Sequence, residues 1–96
     1  MDAVQKHLLI KGRVQGVGYR QFTSRKAAGL GITGWVRNRA DGQVEAVIRG
    51  HEERVDEMIR HLKRGPAAAH VETINVVENS DRTEAKGGSS SFEIRA

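Results

Sequence analysis

The order in which two kinds of apolar periodicity follow one another restricts this chain more than any other property of its sequence. His7-Leu8-Leu9-Ile10, continuing to Val14, reads as a strand that is apolar on both faces at its start, and so lies inside a sheet. From Tyr19 to Leu30, Phe22, Ala27 and Leu30 fall on one helical stripe, with Arg25 and Lys26 towards water. Gly29, costly inside a helix, marks its expected C-terminal end. Gly34 to Arg39 and Gln43 to Arg49 are two strands joined by Ala40-Asp41-Gly42, the Asp-Gly signal of a tight hairpin. Val44, Ala46 and Ile48 make one face of the second strand apolar.

Glu52 to Lys63 is the best-marked helix. Val55, Met58, Ile59 and Leu62 recur at i, i+3, i+4 and i+7, Glu52 and Glu53 occupy the first turn, and Gly65-Pro66 stops it. Val71 to Glu78 is a further strand. Asn79 to Ser91 is polar, ends in Gly-Gly-Ser-Ser-Ser and reads as a mobile loop. Phe92 to Arg95 is a short edge strand. The order is β-α-β-β-α-β plus a final β. It predicts an α+β, ferredoxin-like split βαβ sandwich: one antiparallel sheet with two helices on one face.

With 96 residues, 38% of them hydrophobic and 29% charged, the chain fits a single domain over 1–96 with one modest core. The absence of Cys excludes a disulfide scaffold, thiolate zinc sites and a catalytic thiol. No apolar run approaches the ~20 residues of a membrane span. Met1-Asp2-Ala3-Val4-Gln5-Lys6 is too polar for a secretory signal, so a cytoplasmic protein without a membrane partner is expected. The net charge of +4 is lopsided: residues 1–50 hold nine Lys/Arg against three Asp/Glu, residues 51–96 seven against nine. The basic half calls for an anionic partner, from a small phosphate compound to a nucleic acid.

Gly16-Val17-Gly18 lies where a dinucleotide fingerprint would sit, between a strand and a helix. Gln21 replaces the third glycine, however, and a hairpin follows instead of a doubly wound sheet. No Gly-Lys-Ser/Thr follows either, so a P-loop fails. Two readings stay open at this point. The glycines let backbone N–H groups converge on an anion at a helix N-terminus; or they make a tight turn, with Arg20 a solvated charge. Topology adds a constraint. In a split βαβ unit the first two strands run parallel with the third between them, so their C-terminal ends share one edge. Arg20 follows the first strand and Asn38 ends the second, two strand spacings or about 9.6 Å apart. Asn38 also shares strand parity with Val36, which places it on the helix side. Taken alone, Asn38 equally suits a strand-end residue bonding locally before a turn. His7, His51, His61 and His70 are scattered without metal-ligand spacing, so no metal site is expected.

Two segments together resemble the acylphosphatase family. One is Ile10-Lys11-Gly12-Arg13-Val14-Gln15-Gly16-Val17-Gly18-Tyr19-Arg20. The other is Gly34-Trp35-Val36-Arg37-Asn38, then after three residues Gly42-Gln43-Val44, and after five more Gly50. Tyr19 stands where the family usually has Phe. The resemblance implies a hydrolase that splits the carboxyl-phosphate bond of an acyl phosphate into a carboxylate and inorganic phosphate. It implies a phosphate-binding loop at Gln15, Gly16, Val17, Gly18, Tyr19 and Arg20, with Arg20 and Asn38 catalytic and Asn38 positioning the attacking water. No cofactor and no metal are expected, the partner is a small molecule rather than a nucleic acid, and the size of the chain and its lack of an obvious apolar seam favour a monomer.

So little equipment is chemically sufficient. The leaving carboxylate has a conjugate acid of pKa roughly 4 and needs no general acid. An alkyl phosphate, whose alkoxide does need a proton, is expected to react very slowly; were it to react well, His51 and Tyr19 would be the first proton donors to consider. The loose transition state spreads charge over oxygens that N–H donors and a guanidinium can stabilise. RRM domains share the β-α-β-β-α-β order, but the third strand, Gln43 to Arg49, lacks the surface aromatics that RNA stacking needs. A non-catalytic phosphate-metabolite sensor on the same scaffold would be separated from an enzyme by turnover of an acyl phosphate.

Overall fold

The structure, a computed structural model, describes residues 3–80 and 91–95. Its elements follow in the order β1 (Ala3–Arg13), α1 (Tyr19–Leu30), β2 (Thr33–Asn38), β3 (Val44–His51), α2 (Glu52–Arg64), β4 (His70–Ser80) and β5 (Phe92–Ile94). The sheet order is β4-β1-β3-β2-β5. Because β3 pairs antiparallel with both β1 and β2, those two strands run in the same direction with β3 between them.

The alternation of β3 decides which face is covered. Val44, Ala46 and Ile48 are fully buried. Opposite them lie Ile10 and Leu8 of β1, and Val36 of β2 faces Ala46. Val55, Met58 and Leu62 of α2 close the same core, as does Ala27 of α1. The two helices pack side by side, α1 over β2 and β5, and α2 over β1, β3 and β4. The other face carries a buried carboxylate. The Glu45 side chain is only 8% exposed; Arg37 Nη2 is 2.7 Å from its Oε1 and His7 Nε2 is 2.6 Å from its Oε2. Burial pushes this carboxyl up, but the hydrogen bonds from His7 and Arg37 and the charge of Arg37 outweigh it and hold it below its ordinary value.

Several boundaries differ from the sequence reading. The sheet is mixed rather than wholly antiparallel, because β5 pairs parallel with β2. The chain leaves β4 at one edge and reaches β5 at the other, running back in the direction of β1 and β2. Gly29 does not end α1; the helix continues to Leu30 and terminates on Gly31 in the left-handed conformation, whose N–H bonds Ala27 O. The buried stripe of α1 is Tyr19, Thr23 and Ala27, with Phe22 and Leu30 at its margins. The expected loop starting at Asn79 begins later, since β4 extends to Ser80; its residues 81–90 lie outside the described residues.

Candidate functional site

β1 ends at Arg13, and the chain turns through Gly16 and Gly18, both at positive φ, 75° and 80°. A side chain at either position would strain that geometry. Gly18 is the N-cap of α1 and offers no side-chain cap, and the first turn holds no acidic residue. The first helical hydrogen bond runs from Phe22 N–H to Gly18 O at 3.0 Å. The amides before it belong to the helix end that carries partial positive charge and has no partner within the helix. α2, by contrast, begins with Glu52 and Glu53.

Tyr19 follows the glycines and is buried. Its hydroxyl donates to Leu62 O at 2.7 Å, reaching one of the last carbonyls of α2, which has no intrahelical partner. Burial pushes the phenol well above its ordinary pKa, so it stays a donor and is committed to that carbonyl. Replacing it with Phe strands a buried acceptor. We expect Tyr19→Phe to lose about 1–3 kcal/mol of stability, read as a lower urea midpoint at unchanged m-value. His51 is no alternative proton donor for this end of the molecule. It closes β3 seven residues beyond Val44, roughly 23 Å away at strand rise.

Arg20 stands one residue further on. Its Nη1 donates to Arg95 O at 3.2 Å. Arg95 is itself held by its N–H on Val36 O at 2.8 Å, while its guanidinium lies 4.7 Å from the centroid of the half-buried Trp35 ring. Asn38 ends β2 opposite Val44 and shares the helix-side face with Val36. An open cleft of about 310 Å³ brings these elements together: Arg20 and Asn38 line it with Gly16, Gly18, Tyr19 and Gln21. Gln15 and Val17 do not line it. The Gln15 amide turns instead towards the β2–β3 connection. Val14 and Ile94 complete the wall, and Ile94 is 42% exposed. Ile94 went unnoticed in the sequence. Its alternation with Phe92 is legible there, but the edge at which that strand docks is not.

Asn38 Oδ1 has a further property. Among the described residues it is the buried side-chain oxygen or nitrogen without a hydrogen-bond partner. Such an acceptor costs about 1–3 kcal/mol unless something fills the position. The cleft therefore combines helix-end N–H groups that have no partner within the helix, a guanidinium and the amide of Asn38. That set suits a phosphoryl anion beside a water molecule. Among the described residues, no group of three or more His, Asp or Glu side chains is placed to hold a metal ion, and no helix is long and apolar enough to cross a membrane.

Residues 6–94 match the acylphosphatase family. The chain is 45% identical over 96 residues to a protein of Moorella thermoacetica named acylphosphatase, covering 100% of this chain and 98% of that one. A Thiobacillus denitrificans protein of the same name is 48% identical over 90 residues, 94% of each chain. The crystal structure of acylphosphatase from Bacillus subtilis matches with a TM-score of 0.89 at 34% identity, covering 97% of this chain and 99% of that one.

Proposed function

The chain belongs to the acylphosphatase family and hydrolyses acyl phosphates, and from that premise we propose that Arg20 and Asn38 are its catalytic pair. Backbone N–H groups of the loop residues that line the cleft, Gly16, Gly18 and Tyr19, cradle the phosphoryl group, and Arg20 grips two of its oxygens with its planar fork. Asn38 Oδ1 accepts a hydrogen bond from the attacking water and fixes its line of approach. The water oxygen bonds to phosphorus. The phosphorus–oxygen bond to the acyl group breaks, and its electron pair leaves on the carboxylate. The proton shed by water passes to a phosphate oxygen, so the products are a carboxylate and inorganic phosphate.

The observation that carries this reading is that Arg20 and Asn38 line one cleft with the loop glycines, and that Asn38 Oδ1 has no hydrogen-bond partner among the described residues. The family match over nearly the whole chain supports one domain over 1–96. The reading takes the partner to be a small acyl phosphate rather than a nucleic acid. On this reading the enzyme acts as a monomer in the cytoplasm. The test is Asn38→Ala. It should lower kcat for an acyl phosphate by roughly 100-fold, while competitive inhibition by inorganic phosphate stays within about two-fold of wild type. Wild-type turnover by the folded variant would remove Asn38 from the mechanism.

A further inference from the structure

Gln15 directly precedes the glycines of the phosphate loop, yet its side chain reaches across to a different element. Nε2 donates to Arg39 O at 2.8 Å and to Gln43 O at 3.0 Å. Both amide hydrogens are spent on one short stretch of main chain. That stretch is the connection between β2 and β3, already closed by its own bonds: Arg39 N–H to Gln43 O at 2.8 Å and Gly42 N–H to Arg39 O at 3.2 Å. Arg39 directly follows Asn38. A single amide therefore joins the start of the phosphate loop to the backbone beside the Asn38 side chain.

Resting on the reading of Arg20 and Asn38 given above, we infer that Gln15 is a positioning residue whose side-chain amide sets the separation between the phosphate loop and Asn38. The phosphoryl group is held from the loop and the water from the hairpin. In-line attack needs both at a fixed spacing, and a misplacement of about 1 Å costs up to ~100-fold in rate. β1 and β2 are not hydrogen-bonded to each other, since β3 lies between them. The sheet sets their distance at mid-strand, and the Gln15 amide sets it at the end where the cleft opens. The role needs two donors at this length. Met matches the length and offers none; Glu matches the shape and turns acceptors towards two carbonyls.

The experiment is a double-mutant cycle on the whole chain, with Gln15→Met, Asn38→Ala and the pair, read with acetyl phosphate as substrate and inorganic phosphate as inhibitor. Gln15→Met should lower kcat roughly ten-fold while the phosphate inhibition constant stays within about two-fold. In the Asn38→Ala background the same change should cost less than about two-fold more, because the water it positions has already lost its acceptor. Unchanged kcat in Gln15→Met overturns the inference. So do equal losses in both backgrounds, or kcat and phosphate affinity falling together. Should Gln15→Met fail to fold, Gln15→Leu, which also offers no donor and adds no charge, gives the same readings. Wild-type turnover by Asn38→Ala alone overturns the reading of Asn38 itself. An impaired Asn38→Ala beside a fully active Gln15→Met overturns only the role of Gln15.

Discussion

Arg20→Ala should lower kcat/KM for an acyl phosphate by roughly 1000-fold or more and abolish competition by inorganic phosphate. Both losses have one cause. Among the described residues the guanidinium is the single side-chain cation lining the cleft, and in a loose transition state the negative charge collects on phosphoryl oxygens that its planar fork can chelate. Ground-state affinity falls with it, because product and substrate carry the same phosphoryl oxygens. Arg20→Lys should fall between wild type and Arg20→Ala, keeping a charge but not the fork. The fold should hardly notice, since the side chain's hydrogen bond is the exposed one to Arg95 O. Steady-state kinetics at several phosphate concentrations decide the matter. An Arg20→Ala enzyme within about ten-fold of wild type and still inhibited by phosphate would mean that the backbone cradle alone holds the substrate.

The largest effect on stability is expected far from the chemistry, at Gly34. It sits in β2 at φ 131° and pairs with Ile48 of β3. A Cβ there would press into the carbonyl of Val47, 2.8 Å from its carbon and closer still to its oxygen. Both are backbone atoms of the neighbouring strand, with no rotamer to yield. Gly34→Ala must therefore strain a positive φ and push β2 away from β3 at once. Together these cost about 3 kcal/mol or more, against a total of about 5–15 kcal/mol for a domain of ordinary stability. The melting temperature should drop by at least about 12 °C, at 4–8 °C per kcal/mol. Thermal unfolding followed by circular dichroism measures it. A drop of only a few degrees would show that β2 can bulge at this position without losing its register.

The parts of the fold legible in the sequence are those in which periodicity and turn chemistry agree. Asp41-Gly42 marks the hairpin, Val44, Ala46 and Ile48 name its inner face, and Val55, Met58 and Leu62 name that of α2. The same parity places Asn38 beside Val36, so its presence with Arg20 at one cleft follows from counting residues along a strand. Illegible positions are those where a polar group is satisfied by something distant or by its own backbone. Thr23 is fully buried within α1 because its hydroxyl bonds Tyr19 O one turn back, which no apolar pattern registers. Glu45 alternates as a solvent-facing residue should, yet Arg37 and His7 from the two neighbouring strands cover it. Gln15 reads as one more polar loop residue, because the direction of its amide depends on where a hairpin 24 residues later comes to rest.

The strand order also sets a schedule. In β4-β1-β3-β2-β5, the pair β2 and β3 is alone in being adjacent both along the chain and across the sheet. Every other pairing joins strands separated by a helix or by most of the sequence, and pays its closure entropy before any hydrogen bond rewards it. Local structure can therefore present Asn38 on its hairpin early. Arg20 finds its backbone acceptor only when β5, the last strand, has docked against β2. During synthesis β5 emerges after the strand it must join, so the acceptor for Arg20 is the last part of the cleft to become available.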